Sequence, residues 1–284
     1  VVLVNHSLTG DSNVSGNKGW WSEIIGPGMT IDINYYSVLA FNIPGNGFQD
    51  SIIKNHNDFH TGDIARLFFE GLRILGVKNL YAIIGGSIGG SIVWEMGALY
   101  PNLSKHLIPV GSDWKASDWI IANTFLQKRI LNNSSKPLED ARIHAMLTYR
   151  TPKSFDNRFN RTKNDENNTY NIENWLIHHG KKLNNRFKLE AYVFMNHLLS
   201  TVDITRSLMS FEQIIKKIKS SIHLIAIDSD LYFFSYQDKL TFEKVKKSKK
   251  NIFYNEIKSI HGHDAFLIEN VKMSNILKPI FNKK

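Results

Sequence analysis

The run Ile83-Ile84-Gly85-Gly86-Ser87-Ile88-Gly89-Gly90 constrains this 284-residue chain more than any other stretch. It sets the pattern G-x-S-x-G directly after an apolar strand and directly before a helical segment. A serine at such a turn takes an unfavourable backbone angle, and small neighbours let its hydroxyl project from the sheet edge without clashes. The arrangement presents a nucleophile. A Gly-rich strand-to-helix turn can instead cradle a phosphate, as in dinucleotide folds, but the first strand here lacks the G-x-G-x-x-G that such a fold requires.

The surrounding pattern supplies the sheet that this turn needs. The run Val1-Val2-Leu3-Val4-Asn5 and residues 36–41 read as buried parallel strands, the second ending at the turn Asn42-Ile43-Pro44-Gly45-Asn46-Gly47. Between 58 and 75, Ile64, Leu67, Phe68, Leu72 and Leu75 recur at helical spacing, and Gly76 stops the helix. Residues 80–84 and 106–110 are further strands, with a helix over 91–100 between them. Such alternation predicts a mostly parallel sheet covered by helices on both faces. The pattern breaks from 113 to 203, where helical stretches at 119–130, 138–148 and 187–200 are joined by polar segments such as 161–168. It resumes with 222–227, 235–245 and 252–257, and a last helix spans 264–281. The expected organisation is one α/β core, 1–112 and 204–284, interrupted by an all-helical lid at 113–203.

At 42% hydrophobic, the chain can bury such a core as a single domain. The absence of Cys excludes disulfides, thiolate zinc sites and a cysteine nucleophile, and it fits a reducing compartment, so a cytoplasmic location is expected. The first residues read as a strand and not as a signal peptide. No apolar run approaches the roughly 20 residues that cross a bilayer, so no membrane partner is expected. The net charge of +9 sits largely in runs such as Lys246-Lys247-Ser248-Lys249-Lys250 and Lys283-Lys284, which read as solvated surface. No nucleic-acid reading motif accompanies it.

A nucleophilic serine requires a base and a group that orients the base. Ile225-Ala226-Ile227-Asp228-Ser229-Asp230 offers two acids at the end of a late strand. Asp230, leaving the strand, is the first choice and Asp228 the fallback, although an acid here could simply cap a turn. His261-Gly262-His263-Asp264 follows the last strand and supplies His263 as base. The same segment could form half of a metal site, but no second cluster of ligands accompanies it, and no metal is expected. His178, His179 and His223 read as packing or surface residues. Two N–H groups must also face the developing oxyanion, each contributing about 3 kcal/mol. The Ile88 amide is one and the Leu8 amide, in the loop after the first strand, is the other. The chain order serine, acid, histidine is that of the α/β-hydrolase fold.

Four runs carry a closer resemblance. Asn5-His6-Ser7-Leu8-Thr9-Gly10-Asp11-Ser12, Gly19-Trp20-Trp21 followed by Ile25-Gly26-Pro27-Gly28, the serine turn, and Gly262-His263-Asp264-Ala265-Phe266-Leu267 resemble the homoserine O-acetyltransferase family. In the helical insertion, Leu147-Thr148-Tyr149-Arg150, Arg158-Phe159-Asn160-Arg161 and Ile172-Glu173-Asn174-Trp175-Leu176 are similar to its T-Y-R, R-F-G-R and V-E-S-Y-L segments. The resemblance implies an enzyme that moves an acetyl group from acetyl-CoA, as co-substrate and with no bound cofactor, to the hydroxyl of L-homoserine in methionine biosynthesis, as a homodimer joined through its lid. It implies Ser87, Asp230 and His263 as the triad, Arg142 on the substrate carboxylate, Asp264 on its amino group, and Tyr149 lining the site. A guanidinium and a carboxylate on opposite sides of a hydroxyl would orient an α-amino acid. Taken alone, Arg142 reads as a surface helix arginine and Asp264 as a helix N-cap. The chain departs from the family at Ile88, where Met is usual, at Thr61-Gly62-Asp63, and at Leu231-Tyr232-Phe233-Phe234, where Pro follows the acid. It also lacks the family's D-P-x-W near Asn132-Asn133-Ser134-Ser135, a change that bears on the acyl pocket. The same triad would serve an esterase or thioesterase, and an O-succinyl or serine-specific transferase is a further alternative.

Overall fold

The computed structural model describes residues 1–165 and 168–281. Residues 166–167 of the polar stretch and the terminal Lys283-Lys284 pair lie outside the described residues. Along the chain run β1 (Val2–Asn5), β2 (Ile25–Gly26), β3 (Ile31–Asp32), β4 (Val38–Leu39), α1 (Thr61–Ile74), β5 (Leu80–Gly86), α2 (Ile88–Leu99) and β6 (Ser104–Val110). Then come α3 (Asp118–Asn133), α4 (Pro137–Tyr149), α5 (Pro152–Phe159), α6 (Asn171–Asn184) and α7 (Leu189–Ser200). The chain closes with α8 (Phe211–Lys217), β7 (Ser221–Ile227), α9 (Ser235–Val245), β8 (Ile252–Ile257), α10 (Ala265–Ile268) and α11 (Asn270–Phe281).

Six strands pair in the order β4-β1-β5-β6-β7-β8, every pair parallel. Alternate strand residues feed two cores, as the period of two requires. Leu3, Ile83, Leu107, Ile222 and Leu224 pack with Ile64, Phe68 and Leu72 of α1 and with Ile92, Val93 and Met96 of α2. On the other face Val4, Ala82, Ile84, Ile108, Ile225 and Ile227 meet Trp21, Ile25, Ile31 and, from α11, Met273, Leu277 and Phe281. This is the α/β-hydrolase architecture expected from the sequence. The helix carrying the turn after Ser87 is buried nearly all round, because α1, the sheet and α8 enclose it.

Several local expectations need correction. The strand expected over 36–41 pairs only at Val38 and Leu39. It is an edge strand with one neighbour, and Tyr36 leaves it to pack on Tyr81 and Phe281, with ring centroids 4.9 and 5.5 Å away. Leu67 and Leu75 point outward, 45% and 57% exposed, so the inward stripe of α1 is Ile64, Ala65, Phe68 and Leu72. The last helix is broken at Glu269 (φ −88°, ψ 55°), which lets Ala265 and Phe266 bury beside the sheet end while α11 buries a separate stripe. Lys249 is not solvated like its run: it is buried, and its ammonium donates to the carbonyls of Ile218 (2.7 Å) and Ser220 (2.8 Å).

Between β6 and β7, α3 to α7 form a helical insertion whose two connections are tied together. Ala116 N–H donates to Val202 O (2.8 Å), Ile204 N–H donates to Trp114 O (3.2 Å), and Lys115 pairs with Asp203 (3.3 Å). Just beyond, Arg206 reaches the buried Glu95 of α2 at 2.6 and 3.1 Å and donates to Thr61 Oγ1 at 2.9 Å. The insertion is thereby anchored to the helix that begins at the serine turn. Among the described residues, no helix is long and apolar enough to cross a membrane.

Candidate active site

Ser87 sits between β5 and α2 with φ 59° and ψ −130°, a conformation that costs a side-chain-bearing residue about 1–3 kcal/mol. Its N–H donates to Val110 O (2.9 Å), which fixes the turn to the neighbouring strand. Two glycines make the turn possible. A Cβ on Gly89 would stand 2.4 Å from Asn5 O, and one on Gly86 would stand 2.5 Å from the Phe266 ring. The turn is therefore locked between the end of β1 and the segment after His263.

His263 approaches from the loop after β8. Its Nδ1 lies 2.7 Å from Asp230 Oδ2, with both residues buried. The other Asp230 oxygen accepts from the Tyr232 (2.7 Å) and Phe233 (2.8 Å) amides. Capping a turn and orienting a histidine are thus both done by one carboxylate. Asp228 faces elsewhere, accepting from Ser259 N–H at 2.8 Å. Burial opposes a charge on His263, but Asp230, by charge and hydrogen bond, and Asp264 outweigh it and raise its pKa above 6.5. With Nδ1 committed to Asp230, Nε2 is buried without a hydrogen-bond partner among the described residues. His261 has other neighbours, Ser154 Oγ at 3.2 Å and the Arg150 guanidinium at 3.4 Å. Among the described residues no group of three or more His, Asp or Glu is placed to share a metal ion.

Ser87 and His263 line a cavity of about 60 Å³ together with Ser7, Leu8, Thr9, Arg142, Tyr149, Asp264, Phe266 and Leu267. Every side chain marked in the sequence for acceptor binding reaches this one space. Arg142 lies with its guanidinium carbon 5.6 Å from the Tyr149 ring centre and is no simple surface arginine. Burial pushes the Tyr149 hydroxyl up to about 12, so the phenol stays neutral. Asp264 stands at the N-cap position of α10 but makes no side-chain cap hydrogen bond there; its carboxylate faces Arg150 Nη1 at 3.6 Å. Burial raises its pKa, against the pull of Arg142, His263 and Arg150.

Of the two expected oxyanion donors, Ile88 follows the serine directly and Leu8 lines the same cavity. The Ile88 amide opens α2, among the N–H groups that a helix leaves without an intrahelical partner. The Leu8 loop is held by His6, whose Nε2 accepts from Ile43 N–H (2.9 Å), leaving Nδ1 to donate to Ser7 O (2.8 Å). Burial lowers the His6 pKa to about 4, which keeps that tautomeric bridge intact. Arg186, between α6 and α7, donates to Thr9 O (2.8 Å) and grips the loop from the insertion side.

A family model described as the alpha/beta hydrolase fold matches residues 1–185. The homoserine O-acetyltransferase of Carboxydothermus hydrogenoformans is 30% identical, over 97% of this chain and 84% of its own length. That of Cyclobacterium marinum is 32% identical, over 99% and 84%. The chain belongs to the homoserine O-acetyltransferase family. The solved homoserine O-acetyltransferase from Bacillus anthracis matches with a TM-score of 0.83 at 18% identity, over 100% of this chain and 88% of that one. Esterase E22 matches with a TM-score of 0.86 at 18% identity, over 99% and 89%. At such identity both likenesses concern the fold alone.

One departure from the motifs of the homoserine O-acetyltransferase family falls beside the histidine. The run after the acid, where the family has Pro, supplies Tyr232 and Phe233, whose rings lie 5.5 Å from that of His263. Tyr149 at 5.4 Å and Phe266 at 5.5 Å complete an aromatic collar around the imidazole. The sequence signal was present, an aromatic cluster two residues past the acid, but nothing in its spacing says that it closes on a histidine 30 residues later. Arg186 and Arg206 carried still less signal, because their partners Thr9 and Glu95 are distant in sequence, and the T-Y-R segment named Arg150 without a role.

Proposed function

We propose that this chain transfers an acetyl group from acetyl-CoA to the side-chain hydroxyl of L-homoserine through an acyl-serine intermediate. The observation that carries the reading is that Ser87, His263, Arg142 and Asp264 share one small cavity. His263, oriented by Asp230, takes the Ser87 proton as Oγ attacks the thioester carbon. The carbonyl oxygen becomes an oxyanion facing the Leu8 and Ile88 amides, then re-forms its double bond as the thiolate leaves with a proton from His263. Homoserine enters next, its carboxylate on Arg142 and its ammonium on Asp264. His263 removes the hydroxyl proton, the alkoxide attacks the acyl carbon, and Ser87 Oγ leaves and recovers the proton. Tyr149 and the aromatic collar around His263 limit water, which would otherwise hydrolyse the intermediate.

The helical insertion acts in this reading as a lid that brings Arg142 and Tyr149 over the serine. Its helix α3 exposes Ile121, Phe125 and Leu126, a surface suited to a second copy of the chain. Acetyl transfer to homoserine places the enzyme in methionine biosynthesis. The test is to incubate the protein with acetyl-CoA and homoserine, with succinyl-CoA and serine as competing donor and acceptor, and to weigh the products. O-acetylhomoserine formed with ping-pong kinetics is expected. Free acetate with homoserine unconsumed would replace the transferase by an esterase or thioesterase.

A further inference from the structure

Arg150 is the residue the proposed mechanism does not use and the site does not explain away. It caps the C-terminus of α4, is 9% exposed, and turns its guanidinium toward Ser154, His261 and Asp264. Nη2 lies 3.3 Å from Ser154 Oγ and 3.4 Å from His261 Nδ1, while Nη1 lies 3.6 Å from Asp264 Oδ2. Nε has no partner among the described residues. A buried cation with one donor unsatisfied is costly for folding, so stability does not account for its presence.

The geometry favours a role in recognition. At 3.6 Å, Nη1 is too far for a good hydrogen bond yet close enough to neutralise the carboxylate, so Asp264 keeps its accepting capacity for a second cation. Asp264 lines the cavity with Ser87 and Arg142, and Arg150, which does not, contacts that carboxylate from outside the lining. The backbone holds the same register. Gly262, at φ 66°, packs so closely that a Cβ there would stand 2.8 Å from Tyr149 O, which seats the His261–Asp264 segment directly on the end of α4. Ser154, from α5, and His261 fix the guanidinium plane from the far side. Burial and the Arg150 charge both lower the pKa of His261, which keeps that neighbour neutral.

We propose that Arg150 is a positioning residue for acceptor recognition: it keeps the Asp264 carboxylate aimed into the cavity, so that the enzyme selects alcohols bearing an ammonium group. The proposal rests on the acceptor reading above. Arg150 thus joins the insertion to the catalytic loop and makes amine recognition depend on the docking of α4.

The experiment uses the full chain with Arg150→Met, Arg150→Lys and Asp264→Asn, each also combined with Ser87→Ala so that homoserine binding is read by calorimetry without turnover. Arg150→Met should weaken homoserine about tenfold or more in both KM and Kd. The burst of acyl-enzyme formed from an activated acetyl ester should be unchanged, as should transfer to 4-hydroxybutyrate, which lacks the amino group. Arg150→Lys should recover a large part of the loss, and Arg150→Met should add nothing in the Asp264→Asn background. Should Arg150→Met fail to fold, Arg150→Lys still has to show a selective rise in homoserine KM, smaller than that of Asp264→Asn. An unchanged homoserine KM, an equal loss for 4-hydroxybutyrate, or additive effects with Asp264→Asn would overturn the proposal alone. If Ser87→Ala with Arg150 intact does not bind homoserine, the acceptor reading falls and takes the proposal with it.

Discussion

The sheet core and the helical insertion build the same cavity by opposite means. The core places Ser87, Leu8 and Ile88 through backbone: a strained turn, two glycines in van der Waals contact with Asn5 and Phe266, and a helix N-terminus. The insertion works through long cationic side chains, with Arg142 lining the cavity, Arg186 on Thr9, Arg150 on Asp264, and Arg206 just past its end on Glu95. Backbone devices fix atoms within tenths of an ångström, as a reacting centre requires, whereas arginines reach across gaps and tolerate movement of the helices that bear them. In the proposed reaction the difference would separate chemistry from recognition, and substitutions on the two sides should therefore fail differently.

The largest effect belongs to the core. Asp230→Asn should keep the fold and lower kcat roughly 10⁴-fold, because the imidazole then loses its tautomer and its counter-charge. The pH profile sharpens the point. His263 acts as a base only when neutral, and Asp230 raises its pKa above 6.5, so kcat/KM of the native protein should fall as pH drops through a midpoint above that value. In Asp230→Asn burial dominates, and the residual activity should show its acid limb below 6.5. The folded state favours protonated His263, so this interaction stabilises the native protein at low pH and is lost as pH rises through the raised pKa. Residual activity with an unmoved acid limb would mean that another group sets it.

What the sequence revealed follows the same division. Ser87, Asp230 and His263 were readable because strand, turn and helix grammar fixes where each must stand in the chain. The order of elements around the sheet was readable for the same reason, although the edge strand at 36–41 and the helix over 264–281 came out shorter and broken. Arg142, Tyr149 and Asp264 were legible only through family resemblance; their local pattern is that of ordinary helix and cap residues. Arg150 stood in a segment that the resemblance marked, but with no role, and Arg186 and Arg206 were not legible as parts of the site, since a guanidinium's partner lies up to 177 positions away in the chain. Tyr232 and Phe233 looked like a departure from the family and prove to be two walls of the histidine's collar.

On the insertion side, Arg142→Met should leave the acyl-enzyme burst intact and raise the homoserine KM about 10- to 100-fold, the value of a charge-assisted contact to a carboxylate. A fall in kcat of similar size with KM unchanged would place Arg142 with the chemistry and collapse the distinction between the two regions. Homoserine lactone, which has no free carboxylate, should compete equally weakly against both proteins.

The smallest effect on activity should come from the anchor at the base of the insertion. Arg206→Met leaves Glu95, which is 2% exposed, facing Thr61 Oγ1 without its cation, and an uncompensated buried carboxylate costs about 3 kcal/mol. The melting temperature should therefore drop by several degrees. At temperatures where the variant stays folded, kcat and both KM values should remain within about threefold of native, because the zipper at Ala116–Val202 and Trp114–Ile204 still closes the neck. Removing the charge as well, in Arg206→Met with Glu95→Gln, should restore much of the stability, since a neutral amide can keep its bond to Thr61 at a lower desolvation cost. If the single variant instead raises the homoserine KM as far as Arg142→Met does, the anchor sets the position of α4 over Ser87, and the insertion functions as one rigid recognition unit.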